Sequence, residues 1–172
     1  MDNHFEKVSF EQFLYDVTSS YSCPGNLWLK KEEEIREIYD AIQLPRRATS
    51  GSAGYDFYLP FPCQFIQSHS VLIPTGIRVS IQPGQFLMCV PRSGLGFKYG
   101  MRLKNTTGVI DSDYCFAKNE GHIMAKIDCD TSFSLEAGDR FMQGIFVPYF
   151  ITADDDPIDN TRTGGFGSTG GA

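Results

Sequence analysis

The consecutive stretches "VLIPTGIRVSI" (Val71–Ile81) and "GQFLMCVPR" (Gly84–Arg92) set the texture from which the fold is read. Each is a short apolar run rich in β-branched side chains and cut by proline and glycine. Such runs, bounded by turn residues, read as strands. Similar segments recur on both sides: "YDAIQL" (39–44), "GYDFYLP" (54–60), "HIMAKIDC" (122–129) and "RFMQGIFVPYF" (140–150). None carries a long 3.6-residue period, so crossover helices and a parallel sheet are not expected. The pattern predicts an all-β sandwich or barrel.

The flanks differ. "SFEQFLYDV" (9–17) places Phe10, Phe13, Leu14 and Val17 at helical spacing, and Ser9 with Gln12 resembles a capping box. "YSCPGN" (21–26) breaks that pattern, and "LWLKKEEEIREI" (27–38) reads as a second short helix. Residues 1–37 are therefore expected to form a helical extension with a packing or assembly role. Residues 38–153 form the β body, and 154–172 an acidic linker and a glycine-rich tail. There is no internal repeat.

The 172 residues, 41% hydrophobic, suffice for one domain with a real core. A formal net charge of -6 argues against nucleic acid as a partner, since duplex binding rests on many cationic contacts to phosphate. Five cysteines without a C-x-x-C pair indicate neither a disulfide framework nor a zinc cluster. The three scattered histidines read as surface or hydrogen-bonded residues. No apolar run approaches the ~20 residues that span a bilayer, and the start has no secretory pattern. A cytoplasmic protein with no membrane partner is expected.

Chemistry is suggested at five places. "SAGYDF" (52–57) opens a strand with one aspartate. "PRSGLGFKYG" (91–100) puts arginine, serine and glycine just after a strand, a composition suited to cradling phosphate. In "GVIDSDY" (108–114), continued strand alternation would point Asp111 and Asp113 to one side. That pair reads either as a turn or as carboxylates that polarise water or hold a metal. "GDRFMQGIF" (138–146) sets Asp139, Arg140 and Gln143 around a turn and the next strand. "RTGGFGSTGGA" (162–172) ends the chain in glycine amides and hydroxyls, with one arginine and one aromatic.

These five stretches, in this order, resemble the five motifs of the trimeric dUTPase family, over about Leu44 to Gly170. The resemblance implies a jelly-roll-like β barrel, a homotrimer with active sites shared between subunits, and Mg2+-assisted hydrolysis of dUTP to dUMP and pyrophosphate. Such an activity keeps uracil out of DNA and supplies dUMP for thymidylate synthesis. By the same resemblance, Asp111 orients and activates the water that attacks the α-phosphorus. Tyr114 packs beneath the deoxyribose and excludes a 2′-hydroxyl. Asn105 and the backbone between it and Asp111, Gly108 included, read the uracil edge. Arg92, Ser93, Gly94 and Gln143 hold the phosphates, and Asp56 helps place hydrated Mg2+. In the tail, Arg162 contacts the terminal phosphate, Phe166 stacks on uracil, and Gly167, Ser168 and Thr169 meet phosphate oxygens.

On this reading the tail is a substrate-gated lid. Ordering backbone costs ~1–2 kcal/mol per residue, so several glycine-rich residues do not stay closed unaided. Stacking of one base on an aromatic contributes ~1–3 kcal/mol, and arginine–phosphate bonds add to it. Two departures from the family pattern stand out. "CFAKNEG" (115–121) follows Tyr114, where a basic residue and glycine are usual, and only Thr163 separates Arg162 from the double glycine. A dCTP deaminase of the same fold lacks the D-x-D-Y hairpin and the closing motif. A non-catalytic binding protein would not need Asp111, Arg162 and Phe166 together. A capsid-type jelly roll leaves the phosphate-type groups unexplained.

Overall fold

The computed structural model describes residues 2–19, 27 and 29–157. In chain order these form β1 (His4–Lys7), α1 (Phe10–Ser19), α2 (Glu32–Asp40), β2 (Arg46–Arg47), β3 (Tyr55–Tyr58), β4 (Cys63–Phe65), β5 (Val71–Pro74) and β6 (Ile77–Ser80). Then come β7 (Gln85–Pro91), α3 (Ser93–Tyr99), β8 (Arg102–Leu103), β9 (Gly108–Ile110), a 3-10 turn at Tyr114–Phe116, β10 (Met124–Asp128), β11 (Phe133–Leu135) and β12 (Arg140–Pro148). The body is built of short antiparallel strands, as the turn-punctuated apolar runs require.

The largest sheet has the order β2-β3-β12-β7-β9, with β12 at its centre. A second sheet runs β5-β10-β8, and the pairs β1-β6 and β11-β4 complete the body. Apart from β2-β3, all paired strands are non-consecutive in the chain, which gives the jelly-roll-like, all-β architecture expected. The inward faces of Phe57, Phe65, Ile73, Leu87, Ile127 and Phe141 are almost wholly excluded from solvent and form one core. Cys63, Cys89, Cys115 and Cys129 are buried. Burial pushes the Cys89 thiol up to about 12, which keeps it protonated and unreactive.

Three sequence expectations need correction. The extension is not purely helical: His4–Lys7 adds a strand to β6, with Phe5 facing Val79. Phe5 also lies 5.3 Å from the Tyr55 ring and 5.7 Å edge-on to Phe57, so the extension plugs into the body core. "YDAIQL" is not a strand, because Tyr39 and Asp40 close α2. Its spacing of Ile35, Ile38, Tyr39 and Ile42 is the helical stripe, with Ile35 and Ile42 buried. "SGLGFKY", whose glycine and serine content after β7 favours a turn, forms the helix α3, ended by Gly100 at φ 63° with its N–H bonded to the Gly96 carbonyl at 2.9 Å.

Candidate functional site

One group of expected residues gathers where β3, β12 and the β7–α3 junction meet. Gln143 lies opposite Asp56 on one side and Val90 on the other, and directly paired residues share a sheet face. Asp56 is only 6% exposed, and its charge is matched by two guanidiniums. Arg92 Nε lies 3.1 Å from Oδ1 and Arg140 Nη1 lies 3.1 Å from Oδ2. Arg92 caps α3 in an extended conformation, and its N–H is anchored to the Phe141 carbonyl at 3.2 Å. Ser93 and Gly94 follow it, exposed at the start of α3. A register shift between Arg140 and Met142 is the irregularity beside which Arg140 reaches Asp56. A Cβ on Gly54 would fall on the Gln143 amide oxygen, so glycine there keeps the space that the amide occupies.

The net result is two cations sharing one carboxylate, with a neutral amide beside them. That excess of positive charge suits a polyanion such as phosphate. Arg140 was singled out within the "GDRFMQGIF" stretch but was given no role in the site. Its signal was the turn that precedes β12, which places it next to the strand carrying Gln143.

The second group surrounds β9. Leu103 and Thr106 bridge across a tight turn containing Lys104 and Asn105, with Thr106 at φ 63° and the Thr107 N–H on the Asn105 carbonyl at 2.7 Å. Lys104 Nζ lies 2.8 Å from Asp128 Oδ2, and Ser70 Oγ donates to Asp128 Oδ1 at 2.6 Å, which pins the turn to β10. Those bonds hold the Asp128 carboxyl below its usual range, Lys104 contributing most. Gly108 follows, packed against Cys89. β9 ends at Ile110, so alternation does not run on through Asp111 and Asp113. The chain turns instead, with the Tyr114 N–H on the Asp111 carbonyl at 3.1 Å. Tyr114 is 5% exposed, and its hydroxyl bonds the His122 carbonyl at 3.0 Å.

Within one chain Asp111 is offset from Gln143. Along β7, Val90 is level with Gln143, whereas Leu87 is level with Ile110, the residue before Asp111. At ~3.3 Å per residue along a strand and ~4.8 Å between strands, this offset is roughly 10 Å along and 10 Å across the sheet.

The sequence pattern of the dUTPase family matches residues 40–170. The deoxyuridine 5′-triphosphate nucleotidohydrolase of Lactococcus lactis is 39% identical over 133 residues, covering 75% of this chain and 89% of its own. The chain belongs to the dUTPase family. A Streptococcus mutans dUTPase structure matches with a TM-score of 0.57 and 38% identity, covering 63% of this chain and 88% of that one. A dUTPase variant from Staphylococcus aureus phage phi11, described with a structural Mg(II) ion, shares the fold over 93% of this chain and 98% of its own, with a TM-score of 0.59 at 15% identity. The first group holds Asp56 and the stretches that resemble the second and fourth family motifs, and the second group holds the stretch that resembles the third. The fifth, with Arg162, Phe166, Gly167, Ser168 and Thr169, lies outside the described residues.

Among the described residues, no group of three or more His, Cys, Asp or Glu could hold a metal ion. Mg2+ usually keeps most of its waters and binds through one or two carboxylates plus substrate phosphates. Asp56, a single carboxylate already shared by two arginines, fits a metal that arrives on a triphosphate and not one held by the chain alone.

Proposed function

We propose that this chain hydrolyses dUTP to dUMP and pyrophosphate. Family membership supports the reaction, and the observation that carries the site is the pairing of Arg92 and Arg140 on buried Asp56 beside Gln143. Arg92 and Gln143, with Ser93 and Gly94, take the phosphates, and the Asp56 carboxylate keeps Arg92 aimed. Asp111 orients the attacking water and draws its proton. The water oxygen bonds the α-phosphorus as the bond from that phosphorus to the bridging oxygen breaks, and pyrophosphate leaves with the electron pair. Asn105 and the Gly108 backbone read uracil, Tyr114 lies beneath the deoxyribose, and Arg162, Phe166, Gly167, Ser168 and Thr169 close over the substrate. Asp56 would hold hydrated Mg2+ through water, and the ion, bound with the triphosphate, would neutralise its charge.

The register offset supports active sites shared between subunits of a homotrimer: the phosphate group of one chain is completed by the Asp111 hairpin of another. The nucleotide panel tests the reading. With Mg2+ present, pyrophosphate should be released from dUTP far faster than from dCTP, dTTP or UTP. Equal rates on all four, or none, would refute it.

A further inference from the structure

The residues that depart from the family pattern, 1–39 before the matched region and "CFAKNEG" after Tyr114, are bonded to each other. Ser9 caps α1 through its hydroxyl, which accepts the Gln12 N–H at 3.1 Å. The other half of the expected capping box is not supplied by Gln12. Glu120, from the insertion, accepts the Ser9 N–H at 2.7 Å and the Ser9 hydroxyl at 2.6 Å. Two turns further along α1, Asp16 Oδ2 lies 2.5 Å from His122 Nδ1.

His122 has no exposed surface, and both ring nitrogens are used. Nε2 accepts the Gly76 N–H at 2.7 Å, so the ring proton sits on Nδ1 and donates to Asp16. The backbone of the same residue receives the Tyr114 hydroxyl. Asn119 Nδ2 donates to that hydroxyl at 2.9 Å. The loop between has little freedom. Gly121 sits at φ 73°, and a Cβ there would come within 2.7 Å of Cys115 Cα and 2.8 Å of the Tyr114 carbonyl. Arg78 of β6 closes the other side, donating to the Cys115 carbonyl at 2.9 Å.

We propose that the N-terminal extension is the scaffold of the Asp111–Tyr114 hairpin, with Asp16 and His122 as positioning residues for the reaction. The line of force runs from α1 through Asp16 to the His122 ring, from its backbone to the Tyr114 hydroxyl, and from the Tyr114 N–H to the Asp111 carbonyl. A buried hydroxyl with two fixed partners holds its ring in one place, and small displacements of a positioned group are costly in rate. The inference rests on the dUTPase reading given above.

Steady-state hydrolysis of dUTP and UTP by the full-length wild type, Asp16→Ala, Asp16→Asn and Asn119→Ala tests it, with circular dichroism and sedimentation confirming each fold. Asp16→Ala should lower kcat for dUTP about tenfold or more, with a smaller change in KM, and reduce the preference for dUTP over UTP. Asn at position 16 keeps an acceptor for Nδ1–H and should restore most of both. Asn119→Ala, which removes one partner of the Tyr114 hydroxyl, should move both quantities in the same direction as Asp16→Ala. A folded Asp16→Ala enzyme with wild-type kcat and selectivity would overturn the proposal. Should that variant not fold, wild-type values for Asn119→Ala would overturn it instead. A wild type without dUTP hydrolysis would overturn the functional reading, and this inference with it.

Discussion

Asp56 is the counter-ion that aims Arg92: its Oδ1 lies 3.1 Å from the Arg92 Nε, at the junction of β7 and α3. Asp56→Asn should leave Arg92 and Arg140 repelling each other without an anion between them. A stability loss of about 1–3 kcal/mol is expected, moderated because both guanidiniums are partly solvated. KM for dUTP should rise as well. Unchanged melting and unchanged KM would show that the carboxylate positions nothing.

Gly54 keeps the space occupied by the Gln143 amide. In Gly54→Ala the added methyl should push that flexible amide aside at little cost to stability. If Gln143 holds a phosphate, the lost charge-assisted bond corresponds to about 1.5–3 kcal/mol, or roughly 10- to 100-fold in kcat/KM. A melting curve close to wild type with impaired turnover is the expected pair of results. Intact kinetics would remove Gln143 from the phosphate site.

The register offset between Gln143 and Asp111 leads to a complementation experiment. Arg92→Ala and Asp111→Asn chains should each be inactive alone. Co-expressed in mixed trimers, they should recover part of the wild-type rate, because some sites then combine an intact Arg92 from one chain with an intact Asp111 from another. Mixed trimers as inactive as the parents would place the whole site within one chain.

Acid should loosen the tie between the extension and the insertion. Burial pushes the Glu120 carboxyl upward, but the Ser9 hydroxyl and amide, with Arg78, outweigh it and hold the group below its ordinary 4.5. A carboxyl with a depressed folded-state value stabilises above its unfolded value, and that contribution is lost as pH falls through the folded one. Glu120→Gln should melt at lower temperature than wild type at pH 6, by about 2–4 °C for each kcal/mol lost. The gap should close below about pH 4.5. Parallel curves from pH 6 to pH 3 would contradict this.

The β body was legible because strands such as Gln85–Pro91 and Arg140–Pro148 carry dense apolar sequence bounded by glycine and proline. α3 was not, since two glycines and a serine within seven residues give it poor helix propensity. Its form comes from tertiary anchoring, including the Asp130 and Thr131 N–H groups on the Tyr99 carbonyl at 2.9 and 3.1 Å. β1 was equally hidden: four residues with two charges and a histidine become a strand only because the edge of β6 is there to pair with. In the site, Asp56, Arg92 and Gln143 were found through motif order, but the part of Arg140 needed the sheet register. The contact of Asp16 with His122 spans 106 residues and has no local signature in either segment.

The most direct test of the central claim is pyrophosphate release from dUTP with Mg2+, measured side by side for the wild type and a folded Asp111→Asn variant. The account predicts rapid, dUTP-selective release by the wild type and near-complete loss in the variant. Equal release by both, or none from a well-folded wild type, would contradict it.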